Sequence, residues 1–410
     1  MIQVDVNAGP LIAWLMEQGL QGARQQDLLQ GYCLRLADAG VPLWRFHLAQ
    51  RAFHPRFGGI GFNWTRAAGI SHEHYEYRES PREEWLRSPF YHILEHDLEE
   101  FRENLENGAP EEFPLLPELR ERGATEYFAK GLRFAPPDAG PNDPRHPQEG
   151  MLVSWTTDRK GGFTSRELDL IRTTLPHLGL ALKSSSNRQM ASDLLQVYLG
   201  RDAGRRVLSG EIQRGSSEKI DAVLCLFDLK GFTELAEALP GEELIEMLNG
   251  YFGLAVASIQ AHGGNILKFM GDGMLTMFNL GSIEEDAHAA LAAANELCGK
   301  VRAHNAARQA ENLPTMGFTL AVHAGEILYG NVGAENRLDF TVIGQAVNQT
   351  ARISDMHRSV GQNIIVSEEV KAAARGTNHD LVSLGRYMLR GVADPIELYT
   401  IYRGKCGCDG

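Results

Sequence analysis

The stretch NILKFMGDGM (residues 265–274) decides how this chain is read. Apolar residues with β character run into Gly271-Asp272-Gly273 and resume as Met-Leu-Thr-Met-Phe, residues 274–278. That pattern predicts a β-hairpin with a carboxylate at its tip. A lone lysine, Lys268, stands four residues upstream of Asp272. A second carboxylate, Asp228, ends the apolar run Ala222-Val-Leu-Cys-Leu-Phe227, whose continuity predicts a strand buried on both faces. Leu-Lys-Gly-Phe-Thr (229–233) follows and opens a helix. The backbone N–H groups of Gly231, Phe232 and Thr233 near that helix start suit phosphate oxygens.

If the hairpin packs beside the buried strand, Asp228 and Asp272 converge. Two like charges about 4 Å apart repel by about 4 kcal/mol at an effective dielectric near 20. A divalent cation between them removes that repulsion, and Mg²⁺ favours a few carboxylates combined with substrate phosphates. Taken singly, each acid has a plainer reading: Asp272 as turn chemistry and Asp228 as a helix cap. The pair, with a phosphate-binding turn beside it, points towards metal. A further constellation lies in FTVIGQAVNQTARI (340–353), where Asn348 and Arg352 share a helix face. Arg352 suits phosphate oxygens and Asn348 a sugar hydroxyl; a solvated polar face is the plainer alternative.

FDLKGFTELAE (227–237), ILKFMGDGML (266–275) and DFTVIGQAVNQTARI (339–353) occur in that order. Together they resemble the catalytic motifs of class III adenylate/guanylate (nucleotidyl) cyclases, over most of residues 219–402. The resemblance implies an α/β (α+β) catalytic domain with a ferredoxin-like βαββαβ core. It implies a head-to-tail homodimer with active sites shared between the chains. It implies that Asp228 and Asp272 bind two Mg²⁺ or Mn²⁺ ions, and that Lys268 and Thr341 of the opposite chain read adenine. It also implies that Asn348 orients the ribose and Arg352 stabilises charge at the α-phosphate. Arg390, in MLRGVADP (388–395), stands where the family usually has a lysine for the terminal phosphates, which keeps the charge and changes the donor geometry.

Lys268 can donate to N1 of adenine and cannot satisfy the N1–H of guanine, so ATP is the expected substrate, with cyclic AMP and pyrophosphate as products. The Lys268/Thr341 pair resembles the bacterial subgroup with threonine in place of aspartate. The alternative is a catalytically weak nucleotide-binding signalling protein whose sensor domain is the main functional unit.

The rest of the chain reads more plainly. Its 410 residues are 43% hydrophobic and 23% charged, with a net charge of −13. That acidity argues against a nucleic-acid partner. No apolar run approaches the roughly 18–20 residues needed to cross a bilayer, and the N-terminus shows no signal-peptide pattern. Five scattered cysteines do not make a disulfide framework, so a cytoplasmic location is expected.

The expected domains are a sensor over 1–185, a helical connector over 186–218, the catalytic domain over 219–403 and a tail over 404–410 containing Cys406 and Cys408. Helices are expected over 11–39 (one or a pair), 81–107, 165–182 and 233–262. A strand pair is expected over 41–62, broken at Pro55, and a loop over 136–147. The layout of 1–185 resembles a GAF- or PAS-type sensor and implies an unknown small-molecule effector. His72 and His74, at alternate positions, would share a strand face as metal or haem ligands, or lie on the surface. Trp44, Phe46, Phe53, Phe62 and Trp64 line a ligand pocket or pack a core.

Overall fold

The computed structural model describes residues 8–54, 57–77, 82–134, 149–375, 380–392 and 394–402. The expected loop at 136–147, Pro55, the side chain of Phe53 and the Cys406/Cys408 tail lie outside what is described. The chain divides into two compact units, Met1–Asp193 and Leu194–Gly410.

The first unit opens with a helix pair, α1 (Gly9–Gln21) and α2 (Gln25–Asp38). Strands β1 (Leu43–His54), β2 (Phe57–Thr65) and β3 (Gly69–Glu76) follow as an antiparallel meander. Next come α3 (Glu83–Leu86), α4 (Pro89–Glu95), β4 (Glu100–Asn104), α5 (Leu115–Glu121), β5 (Glu126–Arg133), β6 (Gly150–Thr157) and α6 (Ser165–Leu199). The acidic stretch expected to be helical up to residue 107 turns into strand β4, because Phe101 has an aromatic bed of Phe113 and Tyr127 to pack on. The sheet order is β3-β2-β1-β6-β5-β4. Phe46, Phe62, Trp64 and Trp155 belong to a core shared with α1, α2 and α6. Phe90, Ile93, Leu116 and Leu119 form the core on the opposite face, under α4 and α5. Helix α6 runs well beyond the expected residue 182, into the expected connector.

The second unit continues with α7 (Arg201–Leu208), β7 (Ser217–Lys230), α8 (Phe232–Ala238), α9 (Gly241–Ala261), β8 (Asn265–Met270), β9 (Gly273–Phe278) and α10 (Ile283–Ala310). It closes with β10 (Gly317–Ala334), β11 (Arg337–Ile343), α11 (Gln345–Asp355), α12 (His357–Val360), β12 (Ile364–Ser367), α13 (Glu368–Ala373), β13 (Leu381–Tyr387) and β14 (Ile396–Ile401). The single helix expected over 233–262 is two helices. Pro240 has no N–H to donate and pushes Leu239 to an extended φ −101, ψ 149, which ends α8.

The sheet order is β13-β14-β12-β10-β7-β9-β8, with β11 paired to β10. Within it, β7–helix–β8–β9–helix–β10 lie side by side as β10-β7-β9-β8, a βαββαβ arrangement. Strand β7 is buried on both faces. Val223, Cys225 and Phe227 pack under α9 and α10. Ala222 and Leu224 face Ala203 of α7 and Ala346 of α11. Cys33, Cys225 and Cys298 are buried.

Phe227 stacks on Phe318, ring centroids 5.6 Å apart, directly before Asp228. Phe227→Ala should cost about 3–5 kcal/mol in a urea-unfolding measurement, the usual price of a large core truncation.

Candidate active site

Asp228 lies in β7, between Thr319 of β10 and Gly273 of β9 in the register. The strand therefore continues through Asp228 to Lys230, instead of ending there as the sequence suggested. Gly273 makes room for the carboxylate. A Cβ at that position would stand 3.0 Å from the Phe227 carbonyl oxygen and 3.2 Å from Asp228 Oδ1. The hairpin tip is tied to β7 by the Leu229 N–H, which donates to the Asp272 carbonyl at 3.3 Å.

Asp228 and Asp272 are thus brought together. Burial, then the Asp272 charge, push the Asp228 carboxyl above its ordinary value, against the Leu229 N–H, which favours the charged form. Among the described residues, no group of three or more His, Cys, Asp or Glu side chains is set to hold a metal ion. His72 and His74 do sit on β3 as alternate residues, ring centroids 5.3 Å apart and both exposed. They lack a third ligand among the described residues. Two carboxylates that destabilise each other fit a hard cation whose remaining ligands are substrate oxygens and water.

Lys268 and Thr341, 73 positions apart in the chain, meet at 3.5 Å between Nζ and Oγ1. Residues 339 and 341 alternate along β11, so both project to the same side. Asp339 accordingly takes Lys268 Nζ at 3.5 Å as an ion-pair partner. Sequence reasoning missed Asp339; the alternation Asp-Phe-Thr on an expected strand was the signal that could have found it.

Helix α11 carries Asn348 outward and buries Ala346, Thr350 and Ile353. It lies close on β10, where a Cβ at Gly325 would meet Ala346 Cβ at 2.9 Å. Its position is held by a bridge centred on the buried His323, which the sequence did not reveal. His323 Nε2 lies 2.9 Å from Gln349 Oε1, and Nδ1 lies 3.0 Å from Ser367 Oγ and 3.4 Å from Glu369 Oε2. For Glu369, burial works to raise the carboxyl, and hydrogen bonds from His323, the backbone and Ser367 outweigh it, leaving it at about 2.

Arg352 reaches the loop between β13 and β14. A Cβ at Gly391 would stand 3.3 Å from its Nη2, so the guanidinium lies beside Arg390-Gly391. Leu389 is buried against Ile353 and anchors that loop. Among the described residues, neither the Asn348 amide nor the Arg352 guanidinium has a hydrogen-bond or ion-pair partner, and none joins them, Lys268 or Arg390 to the acid pair. Gly231 adopts φ 78 at the start of α8, followed by the half-buried Phe232 and the exposed Thr233.

Residues 216–403 match the family described as adenylate and guanylate cyclase catalytic domain. This part of the chain is therefore a class III adenylate/guanylate cyclase catalytic domain. An uncharacterized protein of Mycobacterium tuberculosis (strain CDC 1551 / Oshkosh) is 32% identical over 222 residues, 54% of this chain and 38% of that protein. The chain thus spans well under half the length of this curated relative. The crystal structure of the adenylyl cyclase CyaB from P. aeruginosa aligns with 24% identity over 47% of this chain and 98% of that one, TM-score 0.43. That of the guanylyl cyclase Cya2 aligns with 31% identity over 45% of this chain and 93% of that one, TM-score 0.41.

A carboxyl raised in the folded state stabilises the fold at low pH and loses that contribution as pH rises through the folded value. Without divalent ions, Asp228→Asn should therefore melt above the wild type at pH 7, and the gain should vanish as pH falls below the ordinary 3.8. Calorimetric melting across pH in EDTA reads both.

Proposed function

We propose that the chain is an adenylate cyclase, converting ATP to 3′,5′-cyclic AMP and pyrophosphate by intramolecular attack of the ribose 3′-oxygen on the α-phosphorus. The observation that carries this reading is the convergence of Asp228 and Asp272 at the end of β7, two acids that raise each other's cost in the absence of a cation. Two Mg²⁺ or Mn²⁺ ions held there supply activation of the 3′-hydroxyl and charge neutralisation at the triphosphate. The chain's own groups do the rest. The N–H groups of Gly231, Phe232 and Thr233 receive phosphate oxygens. Asn348 orients the ribose. Arg352, with no competing acceptor among the described residues, meets the charge that grows at the α-phosphate. Arg390, beside it, holds the terminal phosphates.

The Lys268–Thr341 pair supports ATP over GTP. The ammonium donates to N1 of adenine, and Thr341 adjoins the exocyclic amine. Guanine would turn its N1–H against the ammonium and leave a buried donor unpaired, at about 1–3 kcal/mol.

In this reading two copies share each site, one giving Asp228 and Asp272, the other Lys268, Thr341, Asn348 and Arg352. Phe269 and Met270 of β8, Leu328 and Val332 of β10 and Ile343 of β11 are all large, apolar and exposed, which supports a second copy covering them. The first unit is proposed to be a GAF- or PAS-like sensor for a small molecule, supported by its helix-flanked antiparallel sheet and a large cavity. No helix among the described residues is long and apolar enough to cross a membrane; a cytoplasmic enzyme is proposed.

Cyclic AMP formation from Mn²⁺–ATP should fall about 100-fold or more in Asp228→Ala and in Asp272→Ala. Mixing Asp272→Ala with Arg352→Ala chains should restore part of the activity, through one intact site per heterodimer. Heterodimers shown by mass spectrometry to form without regaining activity would rule out shared sites. In a separate assay, Lys268→Glu should lower kcat/KM for ATP relative to GTP; an unchanged ratio would remove Lys268 from base reading.

A further inference from the structure

The first unit has a cavity of about 1660 Å³, open to solvent on one side, between its sheet and the segment carrying α3 and α4. Phe46, Phe62 and Trp64 face away from it, into the core under α1, α2 and α6. Its wall is formed by residues that alternate with them, including Arg45, His47 and Asn63. Phe90, Leu94 and Leu152 line it as well, among charged residues that include Asp97, Lys130 and Arg133, so an apolar patch adjoins the polar end at Arg45, His47 and Asn63.

The polar end is ordered. Asn63 Oδ1 accepts from Arg45 Nη2 at 3.0 Å and lies 2.8 Å from His47 Nδ1. Asn63 Nδ2 donates to Glu73 Oε1 at 3.1 Å, and Tyr75 Oη donates to the same oxygen at 3.0 Å. Gly61 lets the Tyr75 ring lie across β2, since a Cβ there would stand 2.3 Å from Tyr75 Oη. Arg45 is the exception to this order. Its Nη1 is buried without an acceptor. Among the described residues, it has no ion-pair partner.

A guanidinium cannot shed its proton to escape burial, and a buried charge without a counter-ion is strongly unfavourable. His47 does not share that charge. Burial, then the neighbouring Arg45 cation, push its imidazole down to about 4, so it is neutral at pH 7. The polar end therefore holds a guanidinium with one buried N–H group unpaired, with Glu73 one amide away and the Glu118 carboxylate and Arg122 cation acting on it from farther off. A dianionic phosphate would be repelled by Glu73; a single carboxylate matches the guanidinium fork.

We propose that this cavity binds a small carboxylic acid with an apolar body, its carboxylate on Arg45 and Asn63 and its body against Phe90, Leu94 and Leu152. The site deepens the sensor role proposed above and rests on that role only for its effect on turnover. Binding itself stands apart from the cyclase reading.

The test uses the full chain with 4-phenylbutyrate, its neutral amide and phenyl phosphate, read by calorimetric titration and thermal melting. The acid should bind at least 10-fold more tightly than the amide or the phosphate. Arg45→Met should abolish binding while the unliganded variant melts at or above the wild type, because an unpaired buried cation has been removed; this separates loss of the site from loss of the fold. Arg45→Lys should retain weakened binding. Absence of acid binding, equal binding of the amide, tighter binding of phenyl phosphate, or unchanged binding by Arg45→Met would each overturn the proposal. Since no turnover is measured, failure here leaves the cyclase reading standing, and an inactive cyclase leaves this one standing.

Discussion

The register between β7 and β9 is the constraint on which the catalytic domain depends. It sets Asp228 opposite Gly273, at the hairpin tip that also carries Asp272. Because side chains alternate along a strand, a slip of one residue would turn Asp228 under the helices and Phe227 to the other face. The apolar pattern prevents this. Val223, Cys225 and Phe227 are committed to the core under α9 and α10, and Ala222 and Leu224 to the face covered by α7 and α11. A strand buried on both faces has no second register in which Asp228 is equally well placed. The same strand pairs with β10 along its whole length, and β10 carries β11 with Thr341 and Asp339. One pairing therefore positions the acid pair and the framework of the Lys268–Thr341 pair.

The polar groups of this domain fall into two kinds. The bridge of Gln349, His323, Ser367 and Glu369 joins α11 to the sheet through a buried histidine. Asn348 and Arg352 have no partner among the described residues, and Asp228 is pushed against a like charge. Satisfied networks rigidify a scaffold, and unsatisfied groups held on it are poised for a ligand. Placing Asn348 one residue before Gln349 lets a fixed bond position an unfixed one. Lys268 is intermediate, held by Asp339 and Thr341 until something displaces it.

The first unit uses the same strand alternation for a different end. On β1 and β2 the aromatic residues Phe46, Phe62 and Trp64 fill the core, and the polar residues between them face a cavity. Of the two readings the sequence left open for these aromatics, pocket or core, the core holds for Phe46, Phe62 and Trp64. The chemistry lies in Arg45, His47 and Asn63, which look like ordinary surface residues of a half-buried sheet until the far face is covered by α4 and its neighbours.

What the sequence determined by itself was local and periodic. The continuous apolar run of β7, the Gly-Asp-Gly turn and the four-residue spacing of Asn348 and Arg352 each carry their structure in neighbouring residues, so the elements and the acid pair were legible. Pro240 shows the limit of periodicity: the apolar spacing ran on, and a missing N–H stopped the helix. The tertiary structure alone decided which distant residues meet. Asp339 at Lys268, Arg352 beside Gly391 and the histidine bridge under α11 join segments from 26 to 71 residues apart. Their pairing depends on strand order and on how close two backbones approach, and neither quantity is written in the spacing of residues along a single segment.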